Sequence, residues 1–128
     1  MPSRSDVEIV RELAARVAEV AALPVQNEKR ALWRKLNALK PDRPMVMIDQ
    51  ICWNEMNLND ELTLQCQDPE CRGYEEQLRR SLYQWRHFRV DMVIEPFVRV
   101  PSYQQFRAWR YRQRDSRGER SHKRDRRT

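Results

Sequence analysis

Two apolar stretches decide how this 128-residue chain is read: Pro44-Met45-Val46-Met47-Ile48-Asp49-Gln50-Ile51 and Asp91-Met92-Val93-Ile94-Glu95-Pro96-Phe97-Val98. In both, hydrophobic side chains run continuously instead of alternating, which suits a strand buried on two faces, as in a parallel sheet. Pro96 has no N–H to give and would interrupt or end pairing there. Between the stretches, Asp68-Pro69 pairs a capping side chain with proline at the first helical position. Cys71, Tyr74, Leu78, Leu82 and Trp85 then recur at steps of three and four, with Glu75, Glu76, Arg79, Arg80 and Arg86 mostly off that stripe. Strand, long amphipathic helix, strand is a βαβ unit. It predicts an α/β fold with a parallel sheet and a right-handed crossover. Residues 58–66 are ambiguous, and Asn59-Asp60 could start a short helical turn.

Working outward toward the N-terminus, Ser5-Asp6-Val7-Glu8 has the spacing of a capping box. Val10, Leu13, Val17 and Val20 follow at helical steps, with Ala14, Ala18 and Ala21 between them. The pattern predicts an amphipathic helix over 5–22, ended near Pro24. Asn27 can cap a second helix, whose Leu32, Leu36 and Leu39 share a face beside Trp33. Pro41 stops it, because the residue before a proline is pushed out of helical geometry.

Toward the other end, the charge pattern changes sharply. Charged residues make up 34% of the chain, so it is either a polar domain or a folded part with a polar extension. The distribution favours the extension. Residues 102–128 hold ten basic side chains against Asp115, Glu119 and Asp125, and so carry +7 of the net +6, leaving −1 on residues 1–101. The basic balance therefore says nothing about nucleic acid for the first hundred residues. Beyond Pro101 there is no Leu, Ile, Val or Met, too little apolar surface to offset chain entropy. A basic, disordered tail is the expectation. No apolar run approaches the roughly 18 residues needed to span a bilayer, and no signal-peptide pattern opens the sequence. Three cysteines in non-framework spacing point to reduced thiols, hence a cytoplasmic setting.

Three segments carry a resemblance: 43–55 (RPMVMIDQICWNE), 76–87 (EQLRRSLYQWRH) and 91–98 (DMVIEPFV). Together they resemble the N-terminal region of uroporphyrinogen-decarboxylase-like proteins, in particular the bacterial branch linked to corrinoid-dependent methyl transfer. The resemblance covers about residues 26–101. It implies the start of a (βα)8 TIM-type barrel, a fold that typically needs roughly 250 residues when complete. The implied organisation is an N-terminal helix over 1–25, a partial barrel over 26–101 and the basic tail over 102–128. In decarboxylases of the family, the first strand ends in an arginine-containing motif that grips substrate carboxylates. Here Asp49 stands where the first arginine would be, beside a matching Gln50, and Trp53 stands where the later one would be. A carboxylate cannot pair with a carboxylate, so that decarboxylation is disfavoured. The methyl-transferring relatives activate a thiol with zinc and work with a small-molecule methyl donor and a corrinoid protein. Their His and Cys ligands come from later in the barrel and have no counterpart in this chain. The expectation is a truncated family member that is inactive alone, binds no cofactor itself and is prone to self-association. The tail matches nothing in the family, which suggests a frameshift; reading the other two frames after Pro101 would test that.

Asp49, Gln50 and Glu95 fall near the C-terminal ends of the expected strands, where barrel sites assemble, so with Trp53 they are candidates to line a substrate pocket. The plainer alternative is that they pair with basic neighbours such as Arg43 and Arg99. Cys66 and Cys71 lack the close spacing of a structural zinc pair and read as buried thiols, so no metal site is expected. His87 at a helix end suits the negative dipole there. There is no glycine-rich phosphate loop and no nucleophile elbow. A reading from another class remains open. Arg107, Arg110, Arg112 and Arg114, interleaved with Phe106, Trp109 and Tyr111, could bind RNA or another polyanion by phosphate pairing and stacking.

Overall fold

A computed structural model describes residues 1–100, and within them the order is α1 (Arg4–Ala21), α2 (Pro24–Asn37), α3 (Trp53–Met56) and α4 (Pro69–His87). The expectations for the tail lie outside the described residues. Helix α1 is capped by Ser3, whose Oγ accepts from Asp6 N–H at 3.1 Å; Ser5 is already inside the helix. Pro24 sets the boundary between α1 and α2: Leu23, immediately before it, takes an extended conformation, and Pro24 opens α2 at its first position. Asn27 therefore sits within α2 and does not cap it; its Oδ1 accepts from Arg30. Helix α2 closes in a Schellman motif, with Lys40 N–H donating to Lys35 O and Leu39 N–H to Leu36 O, both at 3.0 Å. That geometry forces Leu39 to a left-handed φ of 59°. Helix α4 begins where the sequence predicts, with Asp68 accepting from the N–H groups of Glu70 and Cys71.

The apolar stripes of α1 and α4 pack on each other, and theirs is the extensive helix–helix contact among the described residues. Leu13, Val17 and Ala21 meet Leu78 and Ile94 in a small core, with Ile9, Val10, Leu82, Trp85 and Val98 around it. Burying such side chains contributes roughly 1.5–3 kcal/mol each, so a core this size leaves the chain dependent on its polar contacts.

Those polar contacts replace the expected sheet. No strand occurs among the described residues, so the βαβ unit, its parallel sheet, the α/β class and the start of a TIM-type barrel are all corrected to a helical fold with ordered non-helical segments. Residues 44–51 and 91–98 do approach each other, but one backbone bond joins them, Asp91 N–H to Val46 O at 3.0 Å. The physical reason lies in side chains that take the places of ladder partners. Asp91 Oδ2 accepts from Val46 N–H at 2.9 Å, and the fully buried Gln26 accepts from Ile94 N–H at 3.0 Å. Lys29 donates to the carbonyls of Val90 and Met92, and Trp33 donates to that of Asp91. With those groups taken, a regular ladder has little left to join, and Pro44 and Pro96 have no N–H to contribute.

Candidate functional site

Three acidic side chains organise the non-helical backbone. Asp6 in α1 accepts from the N–H groups of Gln67 and Asp68 at 3.2 and 3.1 Å. Glu75 in α4 is fully buried and accepts from Gln65 and Cys66 N–H at 2.9 Å each, while Arg79 Nε closes the site at 2.7 Å. Asp91 takes a two-pronged bond from Arg43, at 2.9 and 2.6 Å, besides the bond from Val46.

Each carboxyl is held ionised by what it accepts. The Asp68 N–H does most to hold Asp6 below the usual carboxylate range. Burial pushes Glu75 up, but the N–H groups of Cys66 and Gln65, with Arg79, more than offset it and leave it below its ordinary value. Arg43, followed by the Val46 N–H, pulls Asp91 down to about 2. Arg43 is raised in turn. Cys66, buried and next to Glu75, is pushed up to about 12, and burial also raises Cys71. Neither thiol is a ready nucleophile. Cys52 is exposed, and all three cysteines are free.

The residues singled out from the sequence are not gathered into one site. Asp49 and Gln50 are exposed and make no hydrogen bond to a described residue. Trp53 lies in α3, edge-on to Tyr83 with ring centroids 6.0 Å apart and 5.0 Å from the Arg80 guanidinium. It lines a shallow depression with Ile51, Cys52 and Arg80, to which Asp49, Gln50 and Glu95 do not contribute. Glu95 forms an ion pair with Arg30 at 3.0 Å, a basic neighbour other than the two considered from sequence. Arg107, Arg110, Arg112 and Arg114 lie outside the described residues.

No family model, curated protein or solved structure matches the chain. The site must therefore be judged on its own chemistry. Among the described residues every buried side-chain nitrogen and oxygen has a hydrogen-bond partner, so none of those atoms waits for a substrate. No three His, Cys, Asp or Glu side chains gather there as a cation would need, and the two buried thiols favour the protonated form. These residues do not fit the zinc that the resemblance implies for full-length relatives, and no step through zinc or a corrinoid follows. An open cleft of about 760 Å³ lies between α1, α2 and α4, walled by Val20, Val25, Leu82, Trp85 and Phe88. Lys29 sits there 5.4 Å from the Trp85 ring, its ammonium already donating to two carbonyls. No described helix is long and apolar enough to cross a membrane.

The organising carboxylates escaped the sequence reading, although a signal was present for two of them. Glu75 lies four residues after Cys71 and three before Leu78, on the apolar stripe. Asp6 lies four before Val10 and seven before Leu13. A charged residue on a buried stripe calls for a partner. What it binds, some 60 residues away for Asp6, is written nowhere in the local pattern.

Proposed function

We propose that this chain is a non-catalytic relative of the uroporphyrinogen-decarboxylase-like, corrinoid-linked proteins, and that it works by association instead of chemistry of its own. The relationship is supported by the resemblance of residues 26–101, without the barrel. One observation carries the association. The two segments joined at Asp91 and Val46 leave large apolar side chains in solvent: Val46 at 53% exposure, Met47 at 60%, Phe97 at 61% and Val100 at 65%. Large apolar side chains left exposed on two segments that meet offer surface to another polypeptide. A cytoplasmic setting agrees with three unpaired cysteines.

Sedimentation velocity across a hundredfold concentration range tests the association. The expected result is a concentration-dependent shift that Val46→Asp together with Phe97→Asp abolishes while helicity is retained. A monomer at every concentration overturns it. Methyl transfer from a methylated corrinoid to a thiol, or release of CO2 from uroporphyrinogen, by the chain alone would overturn its non-catalytic part.

The charge asymmetry favours a second reading, polyanion binding by residues 102–128. Substituting Arg107, Arg110, Arg112 and Arg114 by Gln in the full chain would lower the salt slope of single-stranded RNA binding by about three, at ~0.7 per phosphate contact. An unchanged slope rules these arginines out.

A further inference from the structure

We propose that residues 43–49 form a self-complementary edge through which two copies of this chain dimerise, antiparallel and centred on Val46. This rests on the association reading above and names its occupant, a second copy. The starting point is the direction of the backbone at Val46. Its N–H and C=O are both engaged by Asp91, at 2.9 and 3.0 Å. In an extended segment successive residues turn their polar groups to opposite edges. With 43–49 extended in the dimer, Met45 and Met47 offer theirs on the side away from Asp91, and neither makes a hydrogen bond to a described residue. Such an edge is a template for pairing with another chain.

The sequence specifies the register. Pairing centred on Val46 sets Met45 opposite the partner's Met47 as a hydrogen-bonded pair, and Arg43 opposite the partner's Asp49 as the next. Pro44 and Ile48 meet at a non-hydrogen-bonded position, where the missing proline N–H costs nothing. Opposite charges facing each other across strands attract. The Arg43 side chain remains 48% exposed even while it holds Asp91, and Asp49 has no partner among the described residues. Other arrangements lose this match. Centring on Met47 places Arg43 opposite Ile51 and Asp49 opposite Met45. In-register parallel pairing stacks Asp49 on Asp49. The antiparallel, Val46-centred dimer is the register that satisfies the proline, the charges and the free edge together.

Cross-linking of the full chain in a Cys52→Ser background tests the register. A non-hydrogen-bonded antiparallel pair has Cα atoms about 4.5 Å apart, within disulfide range. Val46→Cys therefore forms an intermolecular disulfide under mild oxidation at least about tenfold faster than Ile48→Cys, which faces the partner's Pro44. Asp49→Arg, at a side chain with no described contact, weakens the dimer by about tenfold in Kd through two repulsive pairs, each tenfold corresponding to about 1.4 kcal/mol. Equal cross-linking at both positions, or a rate for Val46→Cys no greater than in urea, overturns the proposal. If that happens while sedimentation still reports association, the register fails and the association reading stands; a strictly monomeric chain sinks both.

Discussion

Replacing Glu75 by Ala should remove a large part of the stability of this fold. Among the described residues the fully buried carboxylate is the sole acceptor for the N–H groups of Gln65 and Cys66, and the latter is itself buried. A buried donor left without an acceptor, as the Cys66 N–H would be, costs about 1–3 kcal/mol, while water can reach the N–H of the exposed Gln65. Arg79, whose side chain is 14% exposed, loses its carboxylate as well, and removing one member of a buried pair typically costs about 3–5 kcal/mol. The two routes meet at about 3 kcal/mol. A domain of this size has roughly 5–15 kcal/mol in all, so the variant should lie near its unfolding threshold. Urea titration followed by far-UV circular dichroism measures this. Glu76→Ala is the control, since the Glu76–Arg80 pair is about two-fifths exposed and should matter by no more than about 1 kcal/mol. A Glu75→Ala loss below about 1 kcal/mol, or one equal to the control's, would refute the idea that Glu75 holds the 65–66 segment.

Other expectations follow from the same contacts. Leu39 is strained at φ 59° and 89% exposed, so Leu39→Gly should raise stability by about 1 kcal/mol; a decrease in the urea midpoint would count against the Schellman ending. Asp6, Glu75 and Asp91 all have lowered pKa values in the folded chain. Their contributions are complete above the ordinary carboxylate range and are lost as pH falls, for Asp91 from its ordinary 3.8 to about 2. Acid unfolding should therefore deepen between those limits and begin from a lower plateau in Asp91→Asn; an acid limb unchanged in that variant would show that the Arg43 contact does not stabilise the fold. Among the three cysteines, Cys52 should react with a thiol reagent at neutral pH while Cys66 and Cys71 wait for denaturant, as thiol counting can verify.

The helices could be read because their determinants are local. Asp68-Pro69 and the Cys71-to-Trp85 stripe fix α4 within 20 residues, and the valines and leucine of α1 do the same at their own spacing. The 44–51 and 91–98 segments could not, because an apolar run specifies burial and not the partner of its backbone. A strand is completed by another strand, whereas here Gln26, Lys29, Trp33 and Asp91 complete the backbone from 45 to 68 positions away or nearby in space. The candidate pocket was legible only through those same strands. Asp49, Gln50 and Glu95 share a neighbourhood only through the ends of strands that do not form, and without the strands Glu95 turns to Arg30, while Trp53, a candidate through the resemblance, meets Tyr83.

The pairing of α1 with α4 also has a consequence for biosynthesis. Leu13, Val17 and Ala21 leave the ribosome well before Leu78, their cover in α4. At roughly 5–20 residues per second, the ~66 residues from Ala21 to His87 take about 3–13 s to synthesise. For that interval the nascent α1 presents a bare greasy stripe that a chaperone can hold, and mistranslation or stalling anywhere in the intervening stretch would strand it in that state.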